Sequence, residues 1–337
     1  MVFVTGGTGL VGSHIICELL ENKHSVRALY REKSSLEWFY RTAKYLLKSS
    51  YEELITNVEW VQGDVLDIIS LIDGIQGCHQ VYHCAAVVSF SKSDREFLQN
   101  VNVQGTANVV NACLGLEIKP DLCFISSTAS IGGVEKKMVT EDVPYSAENS
   151  GSFYSYTKYL AELEVIRGRE EGLNVSILNP SIILGFANWN KGSSKFFKNG
   201  KSGFPFYTVG SNAFVDARDV SKAAILITER KCFEGKYLCA AWNLSFQDVF
   251  TKIANEFGSN PPKFRVSPRL AEVAWRIAVF VRFFTGSGII SKESARSGSK
   301  TMSYSSQKLI DELEFTFRSI DDTISHSCEG YQSISIT

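Results

Sequence analysis

Between the apolar run Met1-Val2-Phe3-Val4 and the set Ile15, Ile16, Leu19 and Leu20, the chain reads Thr5-Gly6-Gly7-Thr8-Gly9-Leu10-Val11-Gly12-Ser13-His14. Apolar residues at three- and four-residue steps predict a helix, and the short apolar run before them predicts a buried strand. Glycines between the two permit a tight turn and let backbone N–H groups approach an anion closely. The helix N-terminus that follows adds partial positive charge, so a strand–glycine turn–helix unit suits the pyrophosphate of a dinucleotide. A glycine-rich turn says little by itself; the strand and helix on either side supply the meaning.

Further strands are predicted at Ser25–Tyr30, Val58–Gln62, Gln80–Cys84, Leu122–Ser126 and Val175–Leu178. Their alternation with helical patterns implies a parallel sheet wrapped by helices. Ser34–Asn57, with Trp38, Phe39, Tyr40, Tyr45 and Leu46, is expected to form one or two rim helices whose aromatics pack locally. After Pro180 the alternation weakens. Gly185–Phe206 reads as a substrate-facing loop, and Phe214–Thr228 as a strand and helix that rejoin the sheet. The implied division places 1–184, with 207–233 rejoining it, in one domain, and 185–206 with 234–337 in a smaller lobe.

A net charge of −1 gives no broad attraction to nucleic acid or anionic membrane. Eight scattered cysteines without a CxxC pair read as reduced core thiols of a cytoplasmic protein. No leader is expected before the first strand, since the glycine turn begins at residue 5. The longest apolar stretch, Leu270 to Phe284, is broken by Glu272, Arg276 and Arg282, so no integral membrane segment is expected. It reads as an amphipathic helix of the lobe, with peripheral membrane contact through Trp275, Phe280, Phe283 and Phe284 as the alternative. His79 and His83 flank strand residues and would stand roughly 13 Å apart, too far for one metal ion. A serine hydrolase is disfavoured because the chain has no G-x-S-x-G elbow.

Tyr154 and Lys158 fall four apart, on one face of a helix, and so could pair a phenol acid/base with a charged amine. Tyr40/Lys44 and Tyr304/Lys308 share the spacing. Only Tyr154 follows a strand ending in hydroxyls, Phe124-Ile125-Ser126-Ser127-Thr128, and ligands of parallel sheets lie beyond the carboxyl ends of strands. Strand alternation puts Ser126 and Thr128 on one face and Ser127 on the other unless the ladder has already ended. Thr128 is preferred, with Ser126 and Ser127 as alternatives.

The combination resembles the extended short-chain dehydrogenase/reductase family, closest to its dihydroflavonol-reductase-like branch. The motifs carrying the resemblance are Gly6-x-x-Gly9-x-x-Gly12, Gly63-Asp64-Val65, Tyr82-His83-Cys84-Ala85-Ala86, Asn102-Val103-Gln104-Gly105-Thr106-Ala107-Asn108 and Phe214-Val215-Asp216-Ala217-Arg218-Asp219-Val220, with a C-terminal lobe from Tyr304 to Phe315. It implies an α/β fold: a doubly wound parallel Rossmann sheet with a smaller mixed α/β C-terminal substrate lobe. It also implies that Thr128, Tyr154 and Lys158 are catalytic. Gly6, Thr8, Gly9, Leu10, Val11, Gly12, Arg31, Asp64, Val65, Cys84, Ala85, Ala86, Asn102, Tyr154, Lys158, Pro180 and Ile183 would hold the coenzyme, and no metal would be needed. Homodimer pairing through helices starting near Asn102 and Tyr154 is a further implication.

Arg31 ends the second strand where an NAD-selective site would offer an acid, and with Lys33 it suits a 2′-phosphate. NADP(H) is therefore expected over NAD(H). Asn179-Pro180 matches the reductase branch better than the sugar epimerases, which more often carry arginine there, and Gly132 stands where many sugar-nucleotide enzymes have tyrosine. The resemblance thus favours reduction of a small-molecule ketone or aldehyde. The apolar residues Phe186, Trp189, Phe196, Phe197, Phe204 and Phe206 suggest a moderately apolar substrate, unless several are core. The alternatives are an NAD-dependent nucleotide-sugar epimerase/dehydratase and a nonenzymatic nucleotide sensor of the same fold.

Overall fold

A computed structural model describes residues 1–33, 36–133, 135, 137–146, 152–266 and 298–334. Its strands in chain order are β1 (Val2–Thr5), β2 (Val26–Tyr30), β3 (Val58–Gln62), β4 (Gln80–His83), β5 (Asp121–Ile125), β6 (Met138–Val139) and β7 (Val175–Pro180). These are followed by β8 (Ile182–Leu184), β9 (Phe206–Thr208), β10 (Ser211–Asp216), β11 (Lys236–Cys239), β12 (Trp242–Ser245), β13 (Phe264–Val266) and β14 (Ser303–Tyr304). The principal helices are α1 (Leu10–Glu21), α2 (Leu36–Leu47), α3 (Ile68–Ile75), α4 (Gly105–Gly115), α5 (Phe153–Glu170), α6 (Ala217–Glu229), α7 (Phe246–Glu256) and α8 (Ile320–Ile334).

Seven parallel strands form the main sheet in the order β11-β7-β5-β4-β1-β2-β3. Alternate side chains point to opposite faces, and this divides the core in two. Val2, Val4, Tyr82 and Cys123 pack under α1, α2 and α6, whereas Phe3, Val81, Leu122 and Phe124 pack under α3, α4 and α5. Because both faces are covered, the strands are apolar throughout rather than alternating. The chain winds outward in both directions from β1, so the β1–β4 boundary is where the strand order reverses and where a crevice opens at the carboxyl ends.

All six strands expected from sequence are present, within a residue or a few at their ends. The rim segment forms α2 and short turns, with Phe39 edge-on to Trp60 at 4.8 Å and Tyr45 bonded to the His326 carbonyl.

Beyond Pro180 two expectations need correction. Phe214 does not return to the main sheet: β10 joins β8 and β12 in a separate three-stranded sheet, and only its helix α6 packs back, on α1. Lys236–Cys239, expected in the smaller lobe, is instead the outer strand of the main sheet, paired with β7. The chain passes from one sheet to the other at Pro180, which has no N–H to donate. The next amide, Ser181, still bonds the Cys239 carbonyl at 3.0 Å, and Ile182 already pairs with Phe214.

The Gly185–Phe206 segment contains a short helix, Lys195–Lys201, and is not wholly loop. Its Phe186 and Phe197 are core residues packed on Tyr331; Trp189 stacks on the same ring at 5.3 Å. Among the described residues, no helix is long and apolar enough to cross a membrane. The stretch Leu270–Phe284 lies outside them.

Candidate active site

The glycine turn, α1 and the loop after β4 are packed too closely for side chains to intervene. Gly6 has φ +67°, and a Cβ there would lie 2.7 Å from the Ala85 nitrogen. The Gly9 amide closes the turn on the Gly6 carbonyl at 2.9 Å, and a Cβ on Gly12 would run into that same carbonyl. Gly9 caps α1 without a side chain. The first-turn amides therefore remain available to an anion at the helix's positive end. Thr8, Leu10 and Val11 stand partly exposed on this rim, beside Cys84-Ala85-Ala86.

Beneath the turn runs a buried chain of hydrogen bonds. The Ala85 amide donates to Thr5 Oγ1 at 3.2 Å, Thr5 lies 2.7 Å from His83 Nδ1, His83 Nε2 lies 3.0 Å from Thr106 Oγ1, and Thr106 donates to the Asn102 carbonyl. Donor counting makes His83 neutral with its proton on Nε2. Burial, reinforced by the Lys158 charge, lowers its pKa to about 3. His79 meets the amino terminus instead.

Asn102, expected among the coenzyme residues, has its side-chain amide bonded within the protein. Oδ1 accepts from the Val87 amide at 2.7 Å, while Nδ2 donates to the Val87 carbonyl and to Thr157 Oγ1. The loop leaving β4 has no ladder partner for Val87, and Asn102 supplies both donor and acceptor.

Ser152 caps α5 by accepting from the Ser155 amide at 3.0 Å, which sets Tyr154 in the first turn and Lys158 directly below it. Phe90 meets the Tyr154 ring edge-on at 6.0 Å. Burial pushes the Tyr154 phenol upward, and the Ser127 side chain opposes that shift. Thr128, preferred from sequence, is buried in the turn that follows β5. The β5 ladder ends at Ile125, and Thr128–Ser130 form a 3-10 turn capped by Ser127, so strand alternation no longer applies. Ser126 points away from Tyr154 and bonds Glu162.

Lys158 is buried, its Nζ 3.0 Å from the Ile125 carbonyl and 4.4 Å from the centre of the Phe124 ring. Burial lowers its pKa to about 8 against the opposing attraction of Glu162. Glu162 and Phe90 were not singled out from sequence, and Asn179 was noted only for the Asn179-Pro180 pair. The four-residue step from Lys158 to Glu162 was the signal available for the first of them.

On the adenosine side, Arg31 at the end of β2 lies 4.0 Å from Asp64, with more than half of its side chain exposed. The other Asp64 oxygen, Oδ1, accepts from the Leu66 amide, and Val65 is buried against Gly105. Pro180 ends β7, and Ile183 is half-buried in β8. A cavity of about 200 Å³ between α1, α6 and α8, lined by His14, Glu18, Arg218, Arg318 and His326, contains none of the Tyr154 group.

A parallel sheet reversed at β1–β4, a glycine turn there, and a tyrosine–lysine helix beside it define an enzyme of the extended short-chain dehydrogenase/reductase type that uses a nicotinamide dinucleotide. The chain belongs to the NAD dependent epimerase/dehydratase family, whose model matches residues 2–240. It is 27% identical to a putative dihydroflavonol 4-reductase of Synechocystis, covering 98% of this chain and 94% of the relative. It is 28% identical to tetraketide alpha-pyrone reductase 2 of Arabidopsis thaliana, covering 77% and 83%. Among solved structures, gox2253 superposes with a TM-score of 0.80 at 26% identity, over 99% of this chain and 98% of that one. A UDP-glucuronic acid 4-epimerase of Bacillus cereus, solved with UDP-glucuronic acid and NAD, superposes at 0.77 and 17% identity over 99% of each chain, a likeness of fold alone.

Proposed function

We propose that this protein is an NADP(H)-dependent reductase of a ketone or aldehyde. The observation that carries the reading is that Tyr154 and Lys158 lie one turn apart on α5, with Lys158 Nζ at the Ile125 carbonyl that ends β5. The glycine turn fits a dinucleotide because it keeps side chains out of the turn that leads into α1: a Cβ on Gly6 would strike the Ala85 backbone and one on Gly12 the Gly6 carbonyl. The turn and the first amides of α1 would hold the pyrophosphate, Cys84-Ala85-Ala86, Pro180 and Ile183 would line the nicotinamide side, and Lys158 would hold its ribose. When bound, the reduced coenzyme supplies the hydride. Tyr154 gives its proton to the carbonyl oxygen as that oxygen gains negative charge, and Ser127 holds the oxygen and the phenol in line. The Lys158 ammonium stabilises the phenolate left behind.

Arg31 supports the 2′-phosphate assignment. It reaches Asp64 only at 4.0 Å and has 59% of its side chain exposed, so it is placed to pair with an added phosphate. Gly132 weighs against a sugar-nucleotide reading, since a Cβ there would already lie 2.9 Å from the Ser146 amide. Phe90 gives the substrate side of Tyr154 an apolar wall. The deciding experiment compares NADPH and NADH oxidation against aldehydes, aryl ketones, ketosteroids and nucleotide-sugar ketones. NADPH loss with a carbonyl substrate is the expected result. Interconversion of nucleotide sugars on retained NAD, without net coenzyme oxidation, would overturn it.

A further inference from the structure

One helical turn beyond Lys158, on the same face of α5, Glu162 is only 2% exposed. Its Oε1 accepts from the Ser126 hydroxyl at 2.5 Å, from Ser130 and from Asn179 Nδ2; its Oε2 lies 3.5 Å from Lys236 Nζ. Strands β7 and β11 and the segment following β5 thus converge on one carboxylate. Taking an ionised carboxylate out of water costs several kcal/mol unless charges and hydrogen bonds compensate. Three uncharged donors and one half-buried ammonium do so here.

Lys158 is equally buried, and its known neighbours offer it little. The Ile125 carbonyl and the Phe124 ring orient the ammonium without neutralising it. From the end of β4, His83 is neutral and Cys84 is held as a thiol by burial. From its own helix, Tyr154 is held as a phenol. Glu162 is the remaining group in this set that bears negative charge.

We propose that Glu162 is the positioning residue of the catalytic lysine: locked by Ser126, Ser130, Asn179 and Lys236, it supplies the countercharge that keeps Lys158 an ammonium. The inference rests on the Tyr154–Lys158 reading above. A lysine carries charge below its pKa, so loss of the carboxylate moves the charged range of Lys158 to lower pH. In the reducing direction, which needs both the phenol proton and the ammonium, the alkaline limb of the rate profile moves down with it.

The test is the titration of Lys158 by NMR in full-length protein labelled at lysine Cε, without coenzyme or substrate, with the signal assigned by its loss in Lys158→Arg. Glu162→Gln is expected to lower the midpoint by about one pH unit or more, and Glu162→Asp to restore much of it. Lys236→Met, which removes the competing cation, is expected to raise it and covers the case in which Glu162→Gln does not fold. An unchanged midpoint in Glu162→Gln, or a lowered one in Lys236→Met, overturns the proposal. Where the protein turns over, Glu162→Gln is also expected to move the alkaline limb of kcat/KM to lower pH while leaving the KM for NADPH within roughly threefold. A protein that reduces no carbonyl would end the proposed function, and the titration would still decide the role of Glu162.

Discussion

Residue chemistry separates Tyr154 from the two tyrosine–lysine pairs that share its spacing. Tyr304 sits in β14, paired with β6, whereas Tyr154 opens α5 with Lys158 one turn on and its Nζ at the Ile125 carbonyl that ends β5. Tyr154→Phe is expected to lower kcat by about a hundred- to ten-thousandfold and to leave NADPH affinity, read by fluorescence titration, nearly unchanged. Ser127→Ala is expected to cost roughly ten- to a hundredfold in kcat/KM, because a hydrogen bond to a charge-bearing oxygen is worth about 1.5–3 kcal/mol. Thr128→Ala should cost far less; equal losses in the two would return the role to Thr128. For the coenzyme, Arg31→Ala is expected to raise the KM for NADPH about tenfold or more and to leave that for NADH nearly unmoved.

At the scale of elements, the turn between β1 and α1 depends on one backbone conformation. Gly6→Ala would combine a positive φ with a Cβ set against the Ala85 backbone, and neither can relax without moving the loop after β4. Weaker coenzyme binding together with a lower melting temperature is the expected outcome; unaltered binding would show that this turn does not carry the pyrophosphate. Much of this element was legible in the sequence, since the glycine spacing, the flanking apolar run and the helix periodicity are all local. The Ser127–Thr128 choice was not. Where a ladder stops depends on the partner strand, and β7 carries on to Pro180 while β5 ends at Ile125.

For the whole molecule, acid sensitivity follows from two buried histidines that fold as neutral bases. His14 donates to the Leu10 carbonyl and is lowered by burial to about 4; His83 is lowered to about 3. In the unfolded chain both titrate near 6.5. The unfolded state therefore binds more protons as pH falls below that value, and stability is lost progressively down to the folded pKa values. Each histidine contributes on the order of a few kcal/mol at about 1.4 kcal/mol per pH unit. Urea unfolding at pH 7 and pH 5 should show the decline, and His14→Gln should flatten it; an equal slope in the variant would remove His14 from the account.

The sequence alone determined the sheet, the wrapping helices, the glycine turn and the tyrosine–lysine helix, because each is written in short-range periodicity and in residues whose backbone limits are intrinsic. Only the tertiary structure decided that Asn102 serves the backbone of Val87, and that Lys236–Cys239 closes the main sheet while Phe214 stands outside it. The carboxylate beneath Lys158 belongs to the same class. Its partners come from segments far apart in the chain, and a buried charge acquires its environment only when those segments pack together.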